Sequence, residues 1–328
     1  MRKILITGGC GFIGSHLVEY LFHKFNKCKI LVFDKISYAA NVKNLNNILN
    51  SKRLKIIKKD IKNFNQLLKY TKKIDLLIHA AAESHVDNSF DSTKKFIETN
   101  VIGTRNVIEA CKINKVKKII HVSTDEVYGE ILKGSFNENS RFNPSNPYSS
   151  SKAAAEMIVN GYKYSYKLPI IIVRANNIFG TRQHPEKLIA SCCSNLIKGK
   201  KIFLHGSGSQ KRSFLFVEDF CRAIYKIIIR GKLNNVYNIG SKFEYKNRDV
   251  VKLILRKFNK NFKKNVVKIK DRPFNDFRYS IDCSKFDEMV TVGETPEDDI
   301  WTLQYNKANF NDGLEQTIEW YKGLSQKA

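Results

Sequence analysis

The sequence is short of acid: 31 Asp and Glu stand against 57 Lys and Arg, a formal net charge of +26. An excess of that size would suit a polyanionic partner, because basic surfaces attract nucleic acid and phosphate. Its distribution argues otherwise. The lysines are spread along the whole chain among Asn and Ile, as in Lys43-Asn44-Leu45-Asn46-Asn47 and Phe258-Asn259-Lys260-Asn261, with no aromatic-interleaved basic cluster or zinc-finger spacing. No nucleic-acid partner is expected. Long apolar runs are missing as well, and nothing approaches the roughly 18–20 uninterrupted apolar residues of a membrane span. Lys3-Ile4-Leu5-Ile6 reads as a strand rather than as part of a signal peptide, so a soluble, cytoplasmic protein without membrane association is expected. The seven cysteines contain no C-x-x-C pair, and the neighbours Cys192 and Cys193 cannot easily bridge each other. A reducing compartment and no structural zinc follow. His85, His184 and His205 are isolated in sequence, so no metal site is expected.

What is present is a pattern of short apolar runs. At 328 residues and 42% hydrophobic, the chain can bury the core of one large unit or of two domains. Ile4-Leu5-Ile6, Ile30-Leu31-Val32-Phe33, Leu76-Leu77-Ile78 and Ile119-Ile120-His121-Val122 are short, β-branched and separated by helical-period segments. That alternation predicts an α/β fold built on a doubly wound parallel sheet, whose doubly buried strands read as near-continuous apolar runs. Leu168 to Val173 is a further strand, after a helix from Tyr148 to about Tyr166. Beyond Gly180 the pieces shorten to a helix near 186–198 and strands at 201–204 and 214–217, which predicts a smaller C-terminal lobe interleaved with the sheet. The expected division is residues 1–180 and 181–328. Residues 289–304 are acidic and lysine-free, and a surface loop is expected there.

Thr7-Gly8-Gly9-Cys10-Gly11-Phe12-Ile13-Gly14 joins the first strand to a helix with Leu17, Val18, Leu21 and Phe22 on its apolar side. Between a strand and a helix, Gly9, Gly11 and Gly14 let a pyrophosphate approach the helix N-terminus, where free N–H groups and the helix dipole favour anions. Asp34 closes the second strand, 20 residues after Gly14. Its carboxylate suits an adenosine ribose and repels a 2′-phosphate, which favours NAD over NADP. Candidate cofactor contacts are therefore Gly8, Gly11, Phe12, Ile13, Gly14, Asp34 and the adjacent Lys35, with Asp60 and Ile61 at the adenine. This assigns the first 180 residues to a Rossmann-like cofactor domain.

Tyr148 and Lys152 stand four apart on one helix and so share a face. A phenol is a poor base at neutral pH, but a neighbouring cation, from Lys152 and the nicotinamide, favours its ionised form. Pro147 rigidifies the entry to this helix. Ser123-Thr124-Asp125-Glu126 follows a strand directly, at the carboxyl end where open α/β sheets hold their ligands. Two adjacent carboxyls in a dry pocket are expected to have their pKa values pushed apart, one acting as acid and one as base. Thr124, Asp125, Glu126, Tyr148 and Lys152 are the candidate catalytic set.

With these residues stand Ala81-Ala82-Glu83-Ser84-His85-Val86-Asp87, Val127-Tyr128-Gly129, Asn146-Pro147, Pro185-Glu186-Lys187-Leu188 and Asp271-Arg272-Pro273-Phe274-Asn275-Asp276. The chain resembles, over nearly its whole length, the extended short-chain dehydrogenase/reductase family, and within it the 4,6-dehydratases acting on dTDP-glucose or UDP-glucose. Thr-Asp-Glu is the discriminating piece, since epimerases and decarboxylases of the superfamily generally lack the acid pair. The resemblance implies oxidation at glucose C4 by NAD with Tyr148, Lys152 and Thr124. It further implies proton removal from C5 by Glu126, protonation of the departing C6 hydroxyl by Asp125, and return of hydride to C6. Ala80, Ala82 and Thr99 match cofactor contacts. Ser84, Thr124 and Asn177 match sugar or diphosphate contacts, Glu186, Lys187, Leu188 and Asn247 nucleotide contacts, and Arg212 and Arg272 diphosphate ligands. Phe203 and His205 lie where the nucleobase rests. There bacterial dTDP-glucose enzymes carry Pro and Tyr, and Asn275 replaces their His, so these positions look more like eukaryotic-type and UDP-glucose-using members. A homodimer through helices at about 94–112 and 148–166 is also implied. The competing readings are a 4-epimerase or decarboxylase on the same scaffold and, from another class, a non-catalytic NAD- or nucleic-acid-binding protein.

Overall fold

The computed structural model describes residues 1–291 and 307–325. Its centre is a sheet of seven parallel strands: β1 (Lys3–Thr7), β2 (Lys29–Asp34), β3 (Leu54–Lys58), β4 (Leu76–His79), β5 (Lys118–Thr124), β6 (Ile170–Ala175) and, from the second half of the chain, Val236–Ile239. Three short strands precede that last one, β7 (Asn177–Phe179), β8 (Ile202–His205) and β9 (Lys211–Phe216), which makes it β10. The spatial order is β10-β6-β5-β4-β1-β2-β3, with every neighbouring pair parallel. The expected doubly wound sheet is thus present. Val236–Ile239 was not among the predicted strands, because Tyr237 and Asn238 at its centre hide it from an apolar-run search.

Side-chain alternation explains why the strands are apolar throughout. Ile4 and Ile6 point to one face, against Leu17, Val18 and Leu21 of the helix Phe12–Lys24 and Phe220, Ile224 and Ile227 of the helix Val217–Arg230. Leu5, between them, points to the other face, with Val107, Ile108 and Cys111 of the helix Thr104–Ile113 and Val159 of the helix Pro147–Ser165. Each such aliphatic side chain, fully withdrawn from water, contributes about 1.5–3 kcal/mol. No solvated face is left to demand polar residues.

The C-terminal part builds a separate core around Phe179, Phe214, Phe216 and Phe310, closed by the helices Leu188–Ile197, Asn247–Lys257 and Lys307–Ser325. Its strands form two small sheets: β7 and β9 with β11 (Glu244–Lys246), and β8 with β12 (Val266–Ile269). The strand expected at 214–217 runs instead from Lys211 to Phe216, and Val217 already opens a helix. Of the lysine-free stretch 289–304, residues up to Thr291 end a helix begun at Ser284, which corrects the expected loop there; the rest lies outside the described residues. Among the described residues no helix is long and apolar enough to cross a membrane.

Candidate active site

The strand order reverses beside β1, which has β4 on one side and β2 on the other. At such a switch point the connecting chains diverge and leave a crevice beyond the carboxyl ends of the strands. A cavity of about 520 Å³ opens there, within the range of small-molecule sites. Every candidate residue named from the sequence lines it except Asp125.

Its floor is the glycine loop. Gly8 has φ +72°, and a Cβ on it would come within 2.7 Å of the Ala81 backbone. A Cβ on Gly14 would lie 2.0 Å from the Gly8 carbonyl oxygen, so helix and loop touch only because no side chain intervenes. The helix Phe12–Lys24 has neither a side-chain cap nor an acid in its first turn, so its free N–H groups face the cavity without a resident anion. Asp34 is held by the backbone N–H groups of Cys10 (2.9 Å) and Ile36 (2.7 Å), one on each carboxylate oxygen. Each oxygen keeps a lone pair for a hydroxyl. Lys35 pairs with Glu83 at 2.7 Å. Asp60, Ile61, Ala80, Ala82 and Thr99 complete this half. A cradle closed to any side chain, an uncapped helix N-terminus and an acid at the end of β2 fit an adenine dinucleotide.

The reacting groups stand at the ends of β5 and of the long helix. Asn146 caps that helix by accepting from the Ser149 N–H at 2.9 Å, while Ser149 Oγ accepts from the Asn146 N–H. With Pro147 in the first turn, this fixes the helix start and hence the direction of Tyr148. Thr124 caps the short 3-10 turn Asp125–Tyr128, accepting from the Glu126 N–H at 3.3 Å. Tyr148 is buried. Burial first, then the charges of Glu126 and Asp125, push the phenol up, and only a hydrogen bond with Thr124 pulls it down. The Lys152 ammonium donates to the Val122 carbonyl at 2.8 Å, and burial brings its own pKa down to about 8. Among the chain's own groups the balance favours the neutral phenol.

The pKa values of both acids are raised, chiefly through burial. Asp125 reaches about 7, with the Glu126 charge as the second cause. Its carboxyl lies behind the cavity lining and accepts from Asn176 Nδ2 at 3.1 Å and Thr124 Oγ1 at 3.2 Å. Glu126 lines the cavity, with Asn146 Nδ2 at 3.4 Å, and Lys187 and Arg212 counter its rise. The chemical difference lies in surroundings: Glu126 is drawn toward its anion by two cations on the open side, while Asp125 is sealed in.

The C-terminal part supplies the rest of the wall: Asn177, Glu186, Lys187, Leu188, Phe203, His205, Arg212, Asn247, Arg272 and Asn275, facing Ser84. Lys187 Nζ donates to the Ser84 carbonyl at 2.6 Å, and burial lowers its pKa. The Arg212 guanidinium lies 4.5 Å from the centre of the Tyr279 ring and donates to the Asp276 carbonyl at 2.8 Å. Arg272 is not a free fork, because Nε and one terminal nitrogen grip Asp87 at 2.6 and 2.9 Å. One terminal nitrogen is left for an incoming oxygen. Phe203 is exposed at the rim.

Sequence reasoning missed Asn176, which orients Asp125, and Tyr279, which backs Arg212. Neither carries a local signal, since each acts on a residue distant in sequence. Asp87 and Asn146 stood inside quoted motifs without a role, and a carboxylate in a stretch rich in site residues was the available hint for Asp87. Among the described residues, no group of three or more His, Cys, Asp or Glu could hold a metal ion.

The comparisons follow this geometry. The family model for GDP-mannose 4,6 dehydratase matches residues 5–291. The dTDP-D-glucose 4,6-dehydratase of Dictyostelium discoideum is 41% identical over 98% of this chain and 82% of its own length. The human dTDP-D-glucose 4,6-dehydratase is 39% identical over 98% of this chain and 90% of its own. Among solved structures, the dTDP-glucose 4,6-dehydratase DesIV of Streptomyces venezuelae, with NAD bound, superposes with a TM-score of 0.90 at 34% identity, covering 98% of this chain and 97% of that one. On this evidence the chain belongs to the GDP-mannose 4,6 dehydratase family.

Proposed function

We propose that the chain is an NAD-dependent dehydratase that converts a nucleoside-diphosphate-glucose, dTDP-glucose or UDP-glucose, into the 4-keto-6-deoxy sugar nucleotide, a step toward rhamnose-type deoxysugars. The observation that carries the reading is the Thr124-Asp125-Glu126 turn: Thr124 and Glu126 line, beside Tyr148, the cavity that also holds the glycine cradle, and Asp125 is buried behind them. An epimerase has no use for an acid pair at that point.

NAD, when bound, supplies a hydride acceptor for C4, a hydride donor for C6 and positive charge near the phenol. Tyr148, brought to the phenolate by that positive charge, would take the C4 hydroxyl proton, with Thr124 on its oxygen and the Lys152 ammonium on the same helix. The C4 ketone acidifies C5–H. Glu126 removes that proton, its anion favoured by Lys187 and Arg212. Asp125, protonated below about pH 7, gives its proton to the C6 hydroxyl, which leaves as water. Because its carboxyl sits behind the lining, a small rotation or the Thr124 hydroxyl must bring the proton forward. Glu126 returns its proton to C5 as C6 is reduced, and passage of the proton held by Tyr148 to Asp125 through solvent restores the starting enzyme, so water is the only net loss. Lys187, Arg212 and the remaining nitrogen of Arg272 bind the diphosphate, suited to it by charge.

The reading extends to a homodimer. Ile97, Ile102, Met157, Tyr164 and Tyr166 are large apolar side chains exposed on the segments 97–113 and 147–166. A second copy covering them gives the four-helix contact. Seven free cysteines favour the cytoplasm.

The test is incubation of the purified protein with dTDP-glucose and UDP-glucose in parallel. A product lighter by one water, with the near-ultraviolet absorption of a 4-keto-6-deoxy sugar in alkali, is expected. An isomerised hexose, or release of carbon dioxide, rejects the reading. Light scattering at micromolar concentration checks the dimer, and a monomer rejects it.

A further inference from the structure

Behind the cavity wall lies a buried ionic cluster that takes no direct part in the proposed reaction. Arg174, on β6, directs Nε (3.0 Å) and one terminal nitrogen (2.5 Å) at Glu156 Oε1. Its other terminal nitrogen donates to the Tyr128 hydroxyl at 2.5 Å and to the Glu138 carbonyl at 3.0 Å. The Tyr128 hydroxyl donates onward to Asn238 Oδ1 at 2.8 Å, on β10. The rings of Tyr128 and Phe142 flank the guanidinium at 4.8 and 4.7 Å. The ion pair and its phenol are sealed from water: Glu156 and Asn238 are 0% exposed, Tyr128 1% and Arg174 3%.

A sealed ion pair is a poor way to stabilise a fold, since well-packed apolar residues of similar volume often do as well or better. What it provides instead is a single geometry between the elements that carry it. Those elements are the catalytic ones. Glu156 stands one turn beyond Lys152 and two beyond Tyr148 on the same helix, and Tyr128 ends the turn that starts with Asp125 and Glu126. We propose that Arg174, Glu156 and Tyr128 are positioning residues, a buried clamp that sets the acid pair against the phenol and ammonium. This inference rests on the dehydratase reading.

The clamp has an electrostatic side. Glu156 draws the Lys152 pKa up against the effect of burial. The other groups around Lys152 are Tyr148 on its own helix and two histidines, His79 on β4 and His121 on β5, which burial keeps neutral. Neither ring nitrogen of His121 has a hydrogen-bond partner, and His79 is held by Thr7 and Thr104. No second carboxylate is thereby offered by these strands to replace Glu156.

Tyr128→Phe removes one hydroxyl and keeps the ring. The expected result is a folded protein with wild-type NAD content and KM. Its kcat should fall on the order of tenfold or more, since small misplacements of reacting groups can cost up to about 10²-fold. In single turnover, solvent exchange at C5 should fall more than C4 oxidation, because the acids shift relative to the phenol. Wild-type kcat, or a loss shared equally by both partial reactions, overturns the clamp. Glu156→Gln keeps an acceptor for Arg174 but removes the charge. The alkaline limb of the C4-oxidation phase, followed by cofactor absorbance, should then move to lower pH, and an unmoved limb overturns the electrostatic role. If Glu156→Gln does not fold, Tyr128→Phe decides alone. Wild-type protein is the control: its failure to dehydrate any sugar nucleotide sinks the functional reading, whereas an active wild type with unaffected Tyr128→Phe sinks only the clamp.

Discussion

Replacing Asp125 by Asn should make the protein more stable in mildly alkaline buffer while removing its activity. The carboxyl is 2% exposed and its pKa rises from 3.8 to about 7 in the folded state. The folded chain therefore holds this proton more tightly than the unfolded chain. The resulting stability is fully present below the unfolded value, near 4, and is lost as pH rises to 7. A shift of about three units corresponds to about 4 kcal/mol, of which about 2–3 kcal/mol falls between pH 5 and 8. Asn carries no such dependence. Its carbonyl can accept from Asn176 Nδ2 and its amide can donate to Thr124 Oγ1, so both present contacts have neutral counterparts. Urea unfolding of wild type and variant at pH 5 and pH 8 follows the group and its coupling to Glu126, because titrations that do not interact with Asp125 cancel in the difference. The variant should gain about 2–3 kcal/mol over wild type on going from the lower to the higher pH. Turnover should drop about 10²–10⁴-fold with loss of the acid. A stability difference that does not change with pH would refute the reasoning: Asp125 would then be ionised in the folded state and could not be the proton donor.

Tyr148→Phe should lose most turnover, about 10²–10⁴-fold, yet retain NAD, which its content after gel filtration checks. For Glu126→Gln, C4 oxidation should survive while solvent deuterium exchange at C5 stops, read by mass spectrometry of recovered sugar nucleotide; continued exchange reassigns the base. Gly14→Ala would put a Cβ 2.0 Å from a backbone oxygen that cannot turn aside, so NAD content should collapse, with a stability loss of about 1–3 kcal/mol by thermal melting.

Local features were legible wherever one short segment carries its own physics. The glycine loop is readable because a strand, bare backbone and a helix start must be contiguous to cradle an anion. Tyr148 and Lys152 are readable because helical spacing alone aligns them. The alternation of apolar runs sufficed for the parallel sheet, since burial on both faces requires no polar positions. Val236–Ile239 was missed because its placement at the sheet edge is secured by β6, not by its own composition.

The sequence by itself determined which groups are available at the site and which segments present them, through periodicity, capping and turn chemistry that act within a few residues. Only the tertiary structure decided what state those groups are in. Protonation depends on burial and on neighbours brought from afar: Asp125 meets Asn176 from just beyond the neighbouring strand, and Tyr148 meets the charges of Glu126 and Asp125. Arg272 spends most of its fork on Asp87, 185 positions away. Desolvation and long-range pairing have no expression in local spacing, so the chemistry of each group emerges only when the chain has folded around it.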